Sequence, residues 1–72
     1  MQHQETTTRR LIRLNEVCKK TGLPKAGVYK RMKEGIFPDR VPLGGRAVAW
    51  VESEIDAWIA SQIEQRSDEA AA

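Results

Sequence analysis

The side chains of this chain best placed to do chemistry are its cations. Eleven Lys and Arg lie between Arg9 and Arg46, against only Glu16, Glu34 and Asp39, a net of +8. From Ala47 to Ala72 six acids face Arg66 alone, a net of −5, and Glu5 brings the 72 residues to +2. A basic body with an acidic end suits a polyanion partner. Taken singly, such charges are usually just solvated surface. Here their spacing is informative. Lys25, Lys30, Arg31 and Lys33 fall within one helical stretch, and Arg46 directly follows Gly44-Gly45. Ammonium and guanidinium groups presented by a helix and a neighbouring hairpin can hydrogen-bond phosphates and base edges together.

Other chemistries find little support. There is no Ser/Cys–His pairing, no metal-ligand spacing and no phosphate loop, so the sequence reads as a non-enzyme with no cofactor. Cys18 is the only cysteine, which rules out an internal disulfide and reads as a small buried thiol beside Val17. His3 stands without partners for a metal. Glu52, Glu54 and Asp56 read as acids at a helix start rather than as ligands. No stretch approaches the roughly 20 apolar residues of a membrane span, and no signal peptide is visible, so a cytoplasmic, nucleoid-associated protein is expected. A chain this short buries only about 60% of its unfolded surface, enough for one domain with a thin core.

The cations need elements to position them. Residues 1–8 are polar and aperiodic and read as disordered. Arg10 to Leu14 reads as a small edge strand or an extended lead-in. Asn15 suits the N-cap of a first helix whose buried side is Leu14 and Val17-Cys18 and whose wet side is Lys19-Lys20. Gly22 stops that helix, Leu23 packs inward, and Pro24 opens a second helix carrying Val28, Tyr29 and Met32. Gly35 ends it, and Pro38 forbids its continuation. Val41 and Leu43, then Val48 and Trp50, alternate across Gly44-Gly45, which predicts a tight hairpin with the two glycines at its tip. Ile55, Trp58, Ile59 and Ile63 share one face of a last helix from about Glu52 to Gln65, which should bury Trp50, Trp58 and Phe37. Residues 67–72 read as a disordered tail. The expected class is mainly α with a small β-hairpin: two helices, a two-stranded wing and a C-terminal helix within residues 9–66.

Several of these residues also form a family pattern. Arg10-Leu11-Ile12-Arg13-Leu14, Glu16-Val17, Thr21-Gly22-Leu23, Val28-Tyr29, Gly35 and Phe37-Pro38 resemble the AlpA-type phage and prophage regulators. The similarity continues through Val41, Leu43-Gly44-Gly45-Arg46-Ala47-Val48, Trp50, Ser53-Glu54-Ile55 and Trp58-Ile59. It covers about Arg10 to Ala60, and the Leu-Gly-Gly-Arg-Ala-Val run followed by Trp50 is its most specific part. The resemblance implies a winged helix-turn-helix of the MerR and excisionase kind that regulates transcription from a mobile element. The chain departs from the pattern at Pro24-Lys25-Ala26-Gly27, where relatives carry small hydroxyl residues.

On this reading the DNA-binding residues are Lys25, Ala26, Gly27, Tyr29, Lys30, Arg31, Lys33 and Arg46. Lys25 would approach base edges, and Lys30, Arg31 and Arg46 the phosphates. Each has a plainer alternative: Tyr29 as a core-edge tyrosine, Lys33 as a cation at a helix C-terminus, Arg46 as a cross-strand partner of Asp39. The expected partner is double-stranded DNA, with further copies of the chain on repeated sites. One alternative is an excisionase that bends DNA and recruits an integrase. Another, of a different class, is a protein-interaction module that inhibits a partner through the acidic last helix.

Overall fold

Leu11 and Ile12 pair antiparallel with Val51 and Trp50, so β1 (Leu11–Ile12) ties the beginning of the fold to its middle. The computed structural model describes residues 9–71, and the expected disorder of residues 1–8 lies outside that span. After β1 come α1 (Leu14–Thr21), α2 (Lys25–Lys33), β2 (Val41–Gly44), β3 (Ala47–Val51) and α3 (Glu52–Ala71). The sheet order is β1-β3-β2, with β3 in the centre. The lead-in is thus a true edge strand, and the wing is a three-stranded sheet rather than an isolated hairpin.

α1 begins two residues earlier than a cap at Asn15 would place it. Arg13 is the N-cap, extended at φ −89° and ψ 170°, and it makes no side-chain cap bond. Asn15, expected as the cap, lies inside the first turn. The reason is tertiary. Pairing of Ile12 with Trp50 ends the strand at Ile12, and the chain turns helical at once, overriding a cap preference worth only about 1 kcal/mol. The other end follows the sequence: Gly22 is left-handed at φ 78°, and its N–H donates to the Cys18 carbonyl at 2.8 Å. Thr21 Oγ1 donates to the Val17 carbonyl at 2.8 Å and accepts from the Leu23 N–H at 3.2 Å, fixing the turn into α2.

Pro24 caps α2 rather than occupying its first helical position. The helix closes with Gly35 at φ 78°, whose N–H reaches the Met32 carbonyl while the Ile36 N–H reaches that of Arg31, both at 3.0 Å. That pair of bonds is a Schellman motif. In the hairpin, Gly44 pairs with Ala47 and Pro42 with Val48, leaving Leu43 as a bulge. The tip is therefore Gly45-Arg46, one residue on from the expected Gly44-Gly45. Gly44 and Gly45 both have positive φ, 110° and 56°, but Gly44 spends its freedom on the bulge.

Ile12, Val17, Val28, Phe37, Trp50 and Ile55 form the buried core, one or more from almost every element, with Leu14, Cys18, Leu23, Met32, Val48, Trp58 and Ile59 packed around them. Trp58 is not fully interior as expected. It is half-buried, meets Phe37 edge-on at 4.9 Å between ring centroids, and donates its indole N–H to the Ile36 carbonyl at 2.8 Å. Ile63, at the far end of the apolar stripe, is 52% exposed. α3 continues through Ala71, where the sequence led us to expect a chain without structure from residue 67.

Candidate nucleic-acid interface

The start of α1, the start of α2 and the wing converge on one open cleft of about 440 Å³, lined by Arg13, Leu14, Asn15, Lys25, Tyr29, Arg46 and Val48. Its floor is apolar and its rim cationic. Leu14 and Val48 pack against the core, whereas Arg13, Asn15, Lys25 and Arg46 are exposed. Tyr29 lies at the edge of Trp50, with ring centroids 6.4 Å apart at 65°, and is 42% exposed. Both readings of Tyr29 thus describe part of the same side chain: one side held by the core, the rest facing the cleft.

The expected site residues divide into three groups. Lys25, Tyr29 and Arg46 meet at the cleft. Ala26, Lys30 and Lys33 are exposed on the outer face of α2. Gly27 and Arg31 interact with each other: Arg31 is half-buried, and its Nη1 donates to the Gly27 carbonyl at 3.1 Å. Arg46 forms no ion pair among the described residues, so the cross-strand pairing with Asp39 is not present, although both border a hollow on the outer side of the wing with Arg40. Sequence reasoning missed Arg13 and Asn15. The available signal was the basic run ending at Arg13 just before a helix start, which places both side chains beside the first turn of α2 once α1 and α2 are packed.

Two of the cations in the basic body serve the fold instead. Lys20, expected on the wet side of α1, donates to Glu52 at 2.9 Å and to Asp56 at 2.7 Å. Arg10 reaches the other oxygen of Glu52 at 3.2 Å. The Glu52 N–H also donates to the Arg10 carbonyl at 2.7 Å. The acids that open α3 therefore bind β1 and α1 to it. The hydrogen bonds to Asp56 first, and to Glu52 second, hold the Lys20 ammonium above its ordinary pKa of 10.5. The cations of the cleft and of the outer face of α2, by contrast, take part in no ion pair among the described residues.

That geometry presents a convex helix with unpaired cations along it, flanked by a basic wing, and its natural complement is a grooved polyanion. Among the described residues no cluster of His, Cys, Asp or Glu could hold a metal ion. No described helix is long and apolar enough to cross a membrane. A family model described as "Prophage CP4-57 regulatory protein (AlpA)" matches residues 10–63. The chain is 40% identical over 62 residues to "Uncharacterized protein ORF88" of Enterobacteria phage P4, covering 86% of this chain and 70% of the relative. It is 34% identical over 59 residues to "DNA-binding transcriptional activator AlpA" of Escherichia coli (strain K12), covering 74% of this chain and 84% of the relative. No solved structure matches it significantly. With the family pattern spanning every element from β1 into α3, the chain belongs to the AlpA family of prophage regulatory proteins.

Proposed function

We propose that this chain is a sequence-specific DNA-binding transcriptional regulator of a prophage or integrated element, and that α2 enters the major groove while the wing meets the adjoining backbone. The observation that carries the reading is the convergence of Arg13, Lys25, Tyr29 and Arg46 on one cleft between α2 and the wing. The 34% identity to a protein called a DNA-binding transcriptional activator supports it. Lys25 opens α2, the part of a recognition helix that approaches base edges. Ala26 beside it offers a methyl group, which suits apolar contact with thymine. Arg46 at the wing tip suits phosphates, and Lys30 and Lys33, on the outer face that an inserted helix turns into the groove, suit base edges or the nearer phosphates.

A module of this size buries little DNA surface, so tight occupancy calls for several copies on repeated sites. An output through DNA bending and an integrase would use the same face. The test is an electrophoretic titration on fragments flanking the chain's own coding sequence and on mixed-sequence duplexes. We expect one fragment to be favoured by about 10³-fold or more. Equal binding to all fragments would overturn sequence-specific recognition, and no binding to any would overturn the reading altogether.

A further inference from the structure

Arg31 differs from the lysines of α2. Lys25, Lys30 and Lys33 are exposed, whereas Arg31 is half-buried and folded back along the helix. Its Nη1 donates to the Gly27 carbonyl, one turn towards the N-terminus, at 3.1 Å. A side chain at Gly27 would crowd this path. A Cβ built at Gly27 would stand 3.3 Å from Arg31 Nη1 and 3.3 Å from Pro24 Cδ. Nothing in the backbone asks for glycine there, since Gly27 is not among the residues with positive φ. Glycine inside a helix is otherwise disfavoured relative to alanine. The guanidinium lies over the place that a side chain at Gly27 would take.

The flank of α2 on which this happens is also informative. Lys25 and Tyr29 face the cleft shared with the wing. Arg31 stands two residues from Tyr29, about 200° round an α-helix, and so on the opposite flank. A helix with its side chains is about 10–12 Å across and the major groove about 12 Å wide, so the two flanks of an inserted helix face opposite phosphate rows.

We infer that Arg31 is the phosphate anchor for the groove wall away from the wing, and that Gly27 is its positioning residue, not itself a DNA contact. The inference rests on the proposed entry of α2 into the major groove. One donor of the guanidinium is held by the Gly27 carbonyl, and four remain for phosphate oxygens, which Arg grips in a planar, bidentate way. Fixing the side chain before DNA arrives reduces the rotamer freedom lost on binding. The wing cluster and Arg31 then hold the helix from both sides.

The test is a double-mutant cycle with Gly27→Ala and Arg31→Ala, read as affinity and salt dependence on a mixed-sequence duplex. Arg31→Ala should make the log–log salt slope shallower by about 0.9, one phosphate's worth. Gly27→Ala should cause a comparable loss while Arg31 is present and little further loss once Arg31 is gone. Equal losses from Gly27→Ala in both backgrounds would overturn the positioning role, as would no loss at all. Nitrogen NMR of the Arg31 guanidinium in the wild-type chain gives a readout independent of how the Gly27 variant folds. Hindered rotation is expected, and free rotation would overturn the seating. Failure of the wild type to bind any duplex would sink the DNA reading itself, whereas wild-type binding with both variants unaffected would sink only this inference.

Discussion

Lys25 and Arg46 border the same cleft but sit on different elements, and their roles should separate in binding measurements. Lys25 lies in the first turn of α2, so Lys25→Ala should weaken a preferred site more than mixed-sequence DNA. Arg46 lies at the wing tip, so Arg46→Ala should weaken both by similar factors and make the salt slope shallower by about 0.9. A competition titration on both duplexes checks this pair. An unchanged preference in Lys25→Ala would make Lys25 a phosphate contact only. The place of Arg46 at the wing tip was legible from the double glycine, and that of Lys25 at the start of α2 from the preceding Pro24. Arg13 and Asn15 were not, because their approach to Lys25 depends on how α1 meets α2. The two tryptophans were legible as packing residues but not in rank. Trp50 is fully buried, and Trp58 lies half-exposed over Phe37. Trp50→Ala should therefore cost about 3–5 kcal/mol and Trp58→Ala clearly less, measured by denaturant unfolding without DNA. A larger loss from Trp58→Ala would mean that its hydrogen bond to the Ile36 carbonyl and its ring contact hold the connector after α2 more firmly than burial suggests.

Elements that end in a glycine were the most readable. Gly22 and Gly35 both adopt positive φ, and α1 and α2 end where they should, because the left-handed stop is a local property. Starts were less readable. Asn15 had the right chemistry for a cap, but β1 pairing set the register and moved the helix start back to Leu14. The hairpin was legible as a pair of alternating strands, while the bulge at Leu43 moved its tip by one residue. Least legible was the bond between elements made by charge. Glu52 and Asp56 suit a helix start on local grounds alone, yet they also grip Lys20 across from α1. The pKa of Lys20 is raised by folding, so its contribution to stability is complete below pH 10.5 and is lost as pH climbs through the higher folded value. Thermal midpoints measured from neutral pH to above pH 10.5 should therefore fall further in the wild type than in Lys20→Met. Parallel curves would mean that the pair adds nothing to folding, which is the usual outcome for a solvent-screened surface pair.

At the scale of the whole molecule, the charge asymmetry serves two purposes. The +8 of residues 9–46 suggested a polyanion-binding body, but the folded chain does not offer all of it. Arg10 and Lys20 are bound to the first turns of α3, so part of the acidic C-terminal segment is engaged with the basic body rather than a free tail. Winged-helix topology then gathers Arg13, Lys25 and Arg46 from three separate elements, and α2 carries Lys30, Arg31 and Lys33 outside the cleft. If each of these cations neutralises one phosphate, a single bound copy should show a log–log salt slope of about −5. A slope set by the net charge of the whole basic body would be steeper, at about −7. Lys20→Met separates the two accounts, because it removes a charge from the body but none from the proposed face. We expect it to leave the salt slope of duplex binding unchanged while Arg46→Ala makes the slope shallower. Equal flattening by both substitutions would mean that DNA responds to the overall charge of the body, and that the division between cations holding the fold and cations holding DNA is wrong.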